Sequence, residues 1–451
     1  MINHRYSDSG NQNLIMDECW PSCNGKGWIN VTLFKPLVMR KHLKASLALP
    51  VVFLFSFFLS CHKEDSNYKM IRIQTPILKS KSEILTQINS KPTATITTPG
   101  KIYLYEKYIF LNDVDKGIHV IDNSNPAKPI RVAFLNIPGN QDIAVKGNTL
   151  YADMYGDLLA LDISDPRNAR LTSTVKNFFT FRSYVNGYLL SEDQVIVGWR
   201  EKDTLVAKDY GMYPMPNCAN CEIFALASAA KSNNGVAGSM AKMVLLKDYL
   251  YAITEPHSLG VVDVSNAPSP ENQAPINAGF DLETIYPFGD KLFLGSQVGM
   301  FMYDVQNPRV PSFIGKFEHG RACDPVVTDG NYAYITLRGG GTCGGASNEL
   351  DIVDVKNLSN PQMVRSYPMT GPQGLSKDGN LLFVCDGSSG LKVFDATEPA
   401  NIKQLHSISV KDPYDVIASD GHALVVAKSG LYQYSYSGGQ SLKMLSFIPT
   451  E

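Results

Sequence analysis

The chain repeats one pattern of apolar and polar positions. An apolar, β-branched run closes on Asp, and a turn rich in Ser, Asn and Pro follows it. The copies are Gly117-Ile118-His119-Val120-Ile121-Asp122, Asp157-Leu158-Leu159-Ala160-Leu161-Asp162, Leu259-Gly260-Val261-Val262-Asp263, Met300-Phe301-Met302-Tyr303-Asp304, Leu350-Asp351-Ile352-Val353-Asp354 and Gly390-Leu391-Lys392-Val393-Phe394-Asp395. The alternation within these short runs has a period of two, which predicts strands rather than helices.

Neighbouring copies are 40 to 50 residues apart, except for one gap of 101 residues between Asp162 and Asp263. Units of about 40 residues with several strands each are typical of radial or solenoidal β repeats, in which no unit can bury its apolar faces alone. Each unit contains a first strand, a Gly/Asn turn, an aromatic-rich second strand, the Asp-ending third strand, a Pro-containing turn and a fourth strand. The units begin near Ile102, Ile143, Val185, Met243, Ile285, Val326, Leu375 and Val416.

Eight four-stranded units predict an all-β fold, a β-propeller of eight blades. The alternative is a ring of seven blades in which one unit is degraded or split. The third unit is the weakest copy, since the long gap holds two repeats plus about twenty further residues. We therefore expect a propeller over residues 96–451 with an insertion near 204–238, and such long loops are usually functional or disordered.

The motif Leu350-Asp351-Ile352-Val353-Asp354-Val355, with its Asp-x-Ser-x-Pro turns, resembles the LVIVD-repeat family of β-propeller lipoproteins. The resemblance covers roughly residues 96–450. Two units depart from the motif, with Val197-Gly198-Trp199-Arg200 in the third and Tyr434-Ser435-Tyr436 in the eighth. The family implies a propeller without a settled activity, so no catalytic residue is carried over from it.

An apolar stretch near the N-terminus predicts an export signal over residues 39–60. Arg40, Lys41 and Lys44 precede a nearly continuous apolar run that ends at Phe58-Leu59-Ser60-Cys61. A positive region, an apolar core and a small residue before the break describe a signal peptide. The alternative is a transmembrane anchor that ends in a chance Cys.

Cys61 after Leu-Ser resembles a bacterial lipobox, in which this Cys is acylated, and acyl chains anchor a soluble domain firmly. Cys61-His62-Lys63-Glu64-Asp65 resembles the export tag of surface lipoproteins of the Bacteroidetes. We expect an outer-membrane, cell-surface lipoprotein of a Gram-negative envelope, with residues 61–95 as tether and lead-in strand. Residues 1–38 are expected to be a disordered, non-native upstream extension.

Composition and charge exclude some functions. The formal charge of −2 provides no basic field, so nucleic acid is not an expected partner. Outside the cytoplasm, cysteines are expected to pair. Cys323 and Cys343 flank one hairpin and are expected to form a disulfide, while Cys218 and Cys221 either form a loop disulfide or pair elsewhere. Cys385 remains as a buried packing thiol.

Sequence motifs for chemistry are absent. The string Gly339-Gly340-Gly341-Thr342-Cys343-Gly344 matches G-x-G-x-x-G, but no helix follows to hold a pyrophosphate. No G-x-S-x-G, H-E-x-x-H or calcium-loop motif is present, and we expect no cofactor and no metal site. The recurring Asp residues are expected to accept backbone N–H groups and fix the turns rather than to contact a substrate.

One group of residues is singled out by its place in the repeat. First strands line the central channel of a propeller, so residues that enter them surround one mouth of the channel. Such rigid concave mouths suit ligand binding. The alternative is that these are solvated loop ends around a water-filled channel. Aligned first strands give the mouth candidates Asp142, Arg182, Lys242, Glu283, Asp324, Gln373 and Asp415.

Three functions follow from this sequence. The leading hypothesis is a surface-anchored binding or scaffold module for a protein or glycan. The alternative is a hydrolase or lyase that uses carboxylates at the mouth, which needs two carboxylates at a defined separation. A mainly structural envelope protein would bind no ligand. Fold by itself cannot choose among them.

Overall fold

A computed structural model of the chain describes residues 68–185, 187–207, 236–322, 325–340, 344–345, 347–437 and 441–451. The expected signal peptide and Cys61 lie outside the described residues, as do Cys218, Cys221, Cys323, Cys343 and Asp324. The predictions made for these residues stay predictions. No helix in the described part of the chain is both long and apolar enough to cross a membrane.

The chain divides into two compact units, and the larger one comprises residues 75–200 and 216–451. Its described residues form seven antiparallel sheets built on four successive strands each, which we number as blades 1 to 7. From the inside outward, the strands of blade 1 are Pro99–Tyr105, Tyr108–Asp113, Gly117–Asp122 and Ile130–Asn136. Those of blade 2 are Ile143–Lys146, Thr149–Met154, Asp157–Asp162 and Arg170–Val175. Those of blade 3 are Met243–Leu246, Tyr249–Glu255, Ser258–Asp263 and a split fourth strand, Glu271–Asn272 with Ile276–Asn277.

The strands of blade 4 are Leu282–Phe288, Lys291–Ser296, Gly299–Asp304 and Ser312–Glu318, and those of blade 5 are Val326–Thr328, Tyr332–Arg338, Asn348–Asp354 and Gln362–Pro368. The strands of blade 6 are Leu375–Asp378, Leu381–Cys385, Leu391–Asp395 and Lys403–Ile408. Those of blade 7 are Pro413–Ser419, His422–Ala427, Gly430–Ser437 and Ser441–Pro449. Outside these blades, the described chain forms one short α-helix, Lys81–Leu85, whose Ser80 cap accepts a hydrogen bond from Glu83 N. A short strand, Ser90–Lys91, extends the outer edge of blade 1.

The apolar periodicity fills the space between blades. The third residue of the second strand is a fully buried aromatic in blades 1 to 6, namely Phe110, Tyr151, Tyr251, Phe293, Tyr334 and Phe383. Burying one such side chain contributes about 1.5–3 kcal/mol. Tyr151 also donates a hydrogen bond to Ala267 O at 2.8 Å, and Tyr251 donates one to Pro308 O at 2.8 Å. Each of these rings therefore connects its blade to the next.

The prediction of eight blades is wrong, and the seven-blade alternative is correct. Seven of the eight predicted units are blades, but the one near Val185 is not. Its described residues form a two-residue hairpin, Tyr184–Val185 with Tyr188–Leu189, and a long strand, Gln194–Ala207. That strand pairs with Tyr68–Ser80 instead of joining a four-stranded sheet.

Blade 3 packs directly on blade 2, which leaves no place for a blade between them. Lys146 Nζ of blade 2 donates to Val264 O of blade 3 at 2.7 Å and lies 2.5 Å from Asp248 Oδ1. The residues between these blades are therefore an insertion. The described residues of the insertion do not include the strongly apolar, Asp-ending third strand that fills the space between neighbouring blades elsewhere in the chain.

The last blade meets the first and closes the ring. Glu451 N donates to Ile96 O at 3.0 Å. Gln433 Nε2 donates to Asn123 Oδ1 at 2.8 Å, and Ser446 Oγ donates to Pro126 O at 2.7 Å. Closure covers the edges of the inner strands, which restrains edge-to-edge aggregation.

The recurring Asp residues hold turns, as the sequence predicts. In all six copies, one carboxylate oxygen accepts the backbone N–H two residues later, at 2.7 to 3.0 Å; the acceptors are Asp122, Asp162, Asp263, Asp304, Asp354 and Asp395. Hydrogen bonds from Thr397 lower the pKa of Asp395, and bonds from Ser124 lower that of Asp122. The carboxylate is therefore the form that fixes each turn.

A segment of the insertion runs along the centre of the ring; we call residues 236–242 the channel segment. Its strand Val236–Ala237 pairs with the inner strand of blade 1. Ser239 Oγ accepts a hydrogen bond from Leu375 N of blade 6 at 2.7 Å, and Ala241 O accepts one from Ile285 N of blade 4 at 2.7 Å. A segment that bonds to blades 1, 4 and 6 must lie near the axis of the ring. The channel therefore contains the chain's own backbone at this level.

The smaller unit comprises residues 1–74 and 201–215, of which 68–74 and 201–207 are described. In it, Arg72 Nε lies 3.0 Å from Asp203 Oδ1, and Gln74 Nε2 donates to Glu201 Oε1 at 2.8 Å. These side chains are exposed, so the pairs contribute little to stability.

Candidate functional site

The mouth candidates lie at related positions of the inner strands. Asp142 and Lys242 immediately precede the inner strands of blades 2 and 3, and Asp415 precedes Val416 within that of blade 7. Glu283 lies near the start of the inner strand of blade 4. Gln373 precedes the inner strand of blade 6 by two residues.

Arg182 is placed differently from the prediction. It lies in a 3-10 turn, Thr180–Ser183, within the insertion rather than at the start of a blade. It still reaches the mouth, since its Nη2 donates to Gly139 O at 2.6 Å. The prediction missed Lys101, which precedes Ile102 in blade 1 and occupies the same repeat position as Asp142.

Asp142 is the centre of a buried ion pair. Its Oδ2 lies 2.6 Å from Lys101 Nζ and accepts a hydrogen bond from Lys242 N at 2.7 Å. The residues Lys101 and Asp142 are 5% and 6% exposed. Burial lowers the pKa of Lys101, while the neighbouring Asp142 opposes this shift. The pair joins blades 1, 2 and 3 at the mouth.

A second buried pair lies beside it. Asp153 Oδ1 accepts hydrogen bonds from Gln141 N at 2.9 Å and Asp142 N at 2.7 Å, and Arg182 Nη1 pairs with Asp153 Oδ2. Burial lowers the pKa of Arg182 to about 10, so the guanidinium stays charged at neutral pH. The centre of the guanidinium lies 5.7 Å from the ring centre of Tyr155.

Left-handed residues other than Gly occur in loops at both ends of the ring. Asp115, Tyr155, Asp281 and Asp412 have φ of 62°, 50°, 48° and 48° in loops at the mouth. Glu106, Lys247 and Asp420 have φ of 51°, 57° and 49° in turns at the opposite end, so this conformation does not by itself distinguish the mouth. Gly139 is needed beside Tyr155, because a Cβ there would lie 2.6 Å from the Tyr155 ring.

The buried side of the mouth encloses a cavity of about 20 Å³. Lys101, Asp142, Arg182 and Lys242 line it together with Phe179. This volume holds about one water molecule. It is too small for a sugar ring or a peptide side chain.

Asp415 is fully buried, and neither of its carboxyl oxygens has a hydrogen-bond partner among the described residues. Burial raises its pKa well above the usual value. A Cβ at Gly374 would lie 3.0 Å from Asp415 Oδ1, so only Gly leaves room for this carboxyl.

Burial also raises the pKa of the Cys385 thiol, which is free and fully buried. Cys385 is therefore the packing thiol that the sequence predicts.

The opposite side of the mouth is open to solvent. Glu283 Oε1 accepts a hydrogen bond from Gln297 Nε2 at 2.8 Å. Gln297 Oε1 accepts one from Arg321 Nη2 at 2.7 Å, and the same nitrogen lies 3.3 Å from Asp281 Oδ2. Phe280 is next in sequence to this network and is 72% exposed.

Gln373 contributes mainly backbone to the site. Its carbonyl accepts a hydrogen bond from Thr336 Oγ1 at 2.6 Å, and its N–H donates to Cys385 O at 2.8 Å. In the described part of the mouth, Asp142 is paired with Lys101, Asp153 with Arg182, and Glu283 with Gln297. These carboxylates are thus engaged with donors in the structure.

Comparison with known proteins supports the repeat. Residues 100–134, 139–176, 237–273 and 319–369 match the model of the LVIVD repeat. These segments contain most or all of blades 1, 2, 3 and 5, and they omit residues 177–236, which form most of the insertion between blades 2 and 3. A search of curated proteins found no match.

Several solved structures are similar to the chain. The computationally designed Ika8 protein is 9% identical, with 80% of this chain and 89% of that chain covered and a TM-score of 0.48. The periplasmic gluconolactonase PpgL of Pseudomonas aeruginosa is 13% identical, with coverage of 78% and 96% and a TM-score of 0.48. BamB from Moraxella catarrhalis is 9% identical, with coverage of 83% and 92% and a TM-score of 0.44.

These low identities and TM-scores carry no argument about activity, so the fold rests on the strand order itself. The chain is an all-β propeller that contains LVIVD repeats in four of its seven described blades.

Proposed function

We propose that this protein is a lipid-anchored binding module on the cell surface of a Gram-negative envelope, and that its mouth binds a protein or glycan. The lipobox-like Leu59-Ser60-Cys61 supports the anchor. The observation that carries the binding role is the polar network on the open side of the mouth, where Glu283 accepts a hydrogen bond from Gln297 at 2.8 Å and Gln297 accepts one from Arg321 at 2.7 Å. The buried Lys101–Asp142 pair, at 2.6 Å, holds together the blades beside this network. Such rigid polar groups favour specific recognition.

The opposite end of the blades supports this assignment by contrast. There, the Asp residues are used to fix turns, as Asp354 does for Lys356 N at 3.0 Å. These local bonds explain the recurring carboxylates without a ligand. The mouth carboxylates Asp142 and Asp153 instead make contacts across blades or to the insertion, which depend on the tertiary structure.

A carboxylate-dependent hydrolase or lyase is the second candidate. One observation favours it, since burial raises the pKa of Asp415 and a general acid needs such a shift. The pairing of Asp142 with Lys101 and the small size of the cavity beside it weigh against it. A glycosidase would need a second carboxylate facing Asp415 across a substrate-sized space.

The anchor is tested by labelling cells with a palmitate analogue. The wild-type chain should incorporate the label and become accessible to protease on intact cells, and Cys61→Ser should lose the label. Wild type without label would contradict the anchor.

The binding role is tested by crosslinking and pull-down from the native envelope. We expect one stoichiometric partner with wild type and with Lys356→Ala, a control at the opposite end, but not with Glu283→Ala. Equal recovery with all three would contradict the mouth as the binding surface. Turnover of an envelope polysaccharide by wild type would favour the hydrolase.

A further inference from the structure

The open side of the mouth combines an exposed aromatic ring with a fixed polar network. We propose that this surface binds a neutral saccharide. We call it the Phe280 patch, and it consists of Phe280, Asp281, Glu283, Gln297 and Arg321. The proposal rests on the proposed function and names the ligand class and the residues that bind it.

The Phe280 ring projects from a fixed backbone. Its own carbonyl accepts a hydrogen bond from Ser296 Oγ at 2.7 Å, and Ser296 is fully buried. Gly279, with φ of 131°, packs against the Phe301 ring, where a Cβ would lie at 3.0 Å. The main chain is therefore held on both sides of Phe280 while 72% of the residue stays exposed. A rigid, exposed aromatic face binds an apolar surface at low entropic cost.

The polar groups of the patch are also held in place. Arg321 donates to Gln297 Oε1 from Nε at 3.1 Å and from Nη2 at 2.7 Å, which fixes the plane of the guanidinium. Its aliphatic stem packs against Gly344, where a Cβ would lie 3.2 Å from Arg321 Cδ. Gln297 N donates to Asp281 O at 3.1 Å, which ties the network to the strained loop.

This combination suits a pyranose. The C–H face of a sugar ring is apolar and packs on an aromatic face, while adjacent hydroxyl groups need donors and acceptors side by side. Carboxylates and an amide oxygen accept from hydroxyls, and the guanidinium donates several N–H groups in a fixed plane. Two carboxylates and one guanidinium leave a negative balance, which disfavours acidic glycans. Neutral saccharides are therefore the ligand class.

The test uses the full chain in detergent and isothermal titration with maltohexaose, xylohexaose and mannohexaose. We expect the wild type to bind at least one of them. Phe280→Ala should weaken that binding about tenfold, as loss of an exposed aromatic anchor does. Asp281→Asn, which tolerates the left-handed backbone, should weaken it without changing the melting temperature.

Phe313→Ala is the matched control. Phe313 is 54% exposed on the outer strand of blade 4, where its ring packs edge-on against Tyr303 with ring centres 5.6 Å apart. This variant should bind as the wild type does. Absence of binding to all three oligosaccharides overturns the proposal, and so does equal loss in Phe280→Ala and Phe313→Ala.

The pull-down separates this proposal from the broader one. If a stoichiometric protein partner depends on Glu283 while no oligosaccharide binds, the saccharide proposal fails and the binding module stands. If oligosaccharide binding depends on Phe280, both are supported. Absence of partner and saccharide contradicts both.

Discussion

On the side of blades 1 and 2, the mouth is closed: Lys101 and Asp142 are buried and paired at 2.6 Å, and Arg182 of the insertion covers them. On the side of blade 4, Glu283 near the same repeat position is half-buried and bonds to Gln297, which bonds in turn to the exposed Arg321. The difference lies in what covers each side. A charge under the insertion becomes part of the core, while a charge outside it remains available to a ligand.

The insertion thus has a cost and a benefit. It removes water from charged groups, which is unfavourable unless each charge is paired. It also connects blades that are not neighbours, because the channel segment bonds to blades 1, 4 and 6. We therefore expect substitutions on the buried side to lower stability and substitutions on the open side to affect binding with little loss of stability. The following variants test this expectation.

The largest effect is expected for Asp142→Ala. This change leaves Lys101 buried without its partner and removes the acceptor of Lys242 N–H. We expect a loss of about 3–5 kcal/mol in the free energy of unfolding, measured by urea denaturation. Adding Lys101→Met should restore a large part of it, as a double-mutant cycle would reveal. If Asp142→Ala lowers the free energy of unfolding no more than removal of an exposed carboxylate does, the buried pair does not have the predicted role.

Ser239→Ala should have the next largest effect. It removes the acceptor for the buried Leu375 N–H and weakens the contact between the channel segment and blade 6. We expect a loss of about 1–3 kcal/mol in urea denaturation. Hydrogen exchange of the peptide that contains Leu375 should become faster. Unchanged exchange there would show that the segment does not hold this blade.

Asp415→Asn should change how stability depends on pH. Burial raises the pKa of Asp415 in the folded chain above about 3.9, the value for an unfolded Asp. The folded state therefore holds the proton more tightly, and stability is lost as the pH rises from about 4 through the folded pKa. The free energy of unfolding of the variant, measured by urea denaturation, should therefore rise relative to that of the wild type as the pH is raised from 4.5 to 8. Asp412→Asn is the control for the loss of one carboxyl group. If the difference in unfolding free energy between Asp415→Asn and the wild type is the same at pH 4.5 and at pH 8, the prediction is contradicted.

Glu283→Ala should have the smallest effect on stability. Glu283 is half-buried on the open side and makes its hydrogen bond with Gln297 at 2.8 Å. We expect a change within about 0.5 kcal/mol, typical of surface positions. Thermal unfolding would measure it beside Asp142→Ala. Similar losses for the two variants would remove the distinction between the sides.

The local pattern identified most of the blades and the turns. All seven inner strands contain the predicted start of an apolar run; four begin there, as at Ile143, and three begin three residues earlier, as at Pro413 before Val416. The turn role of Asp162 and its counterparts followed from Ser and Pro in the next residues, because those bonds span only two residues. Lys101 was missed although it precedes the apolar run at Ile102, so the same alignment contained its signal.

The prediction of a blade near Val185 was wrong because the long strand there, Gln194–Ala207, pairs with a distant part of the chain. Whether a strand joins a blade depends on partners far away in sequence, as when Val236 pairs with Leu104. Apolar alternation records that a segment has a buried face, but not which edge it meets. The burial of Asp415 and the exposure of Phe280 depend in the same way on neighbouring loops.

By itself, the sequence determined the repeat, the strand order within each blade and the position of Asp142 and Lys242 directly before their inner strands, because these follow from periodicity and from hydrogen bonds within a few residues. The tertiary structure decided the number of blades, the segment in the channel and the division of the mouth into a buried and an open side. Those features depend on long-range pairing and on the removal of water from charges such as Asp142, which no local pattern specifies.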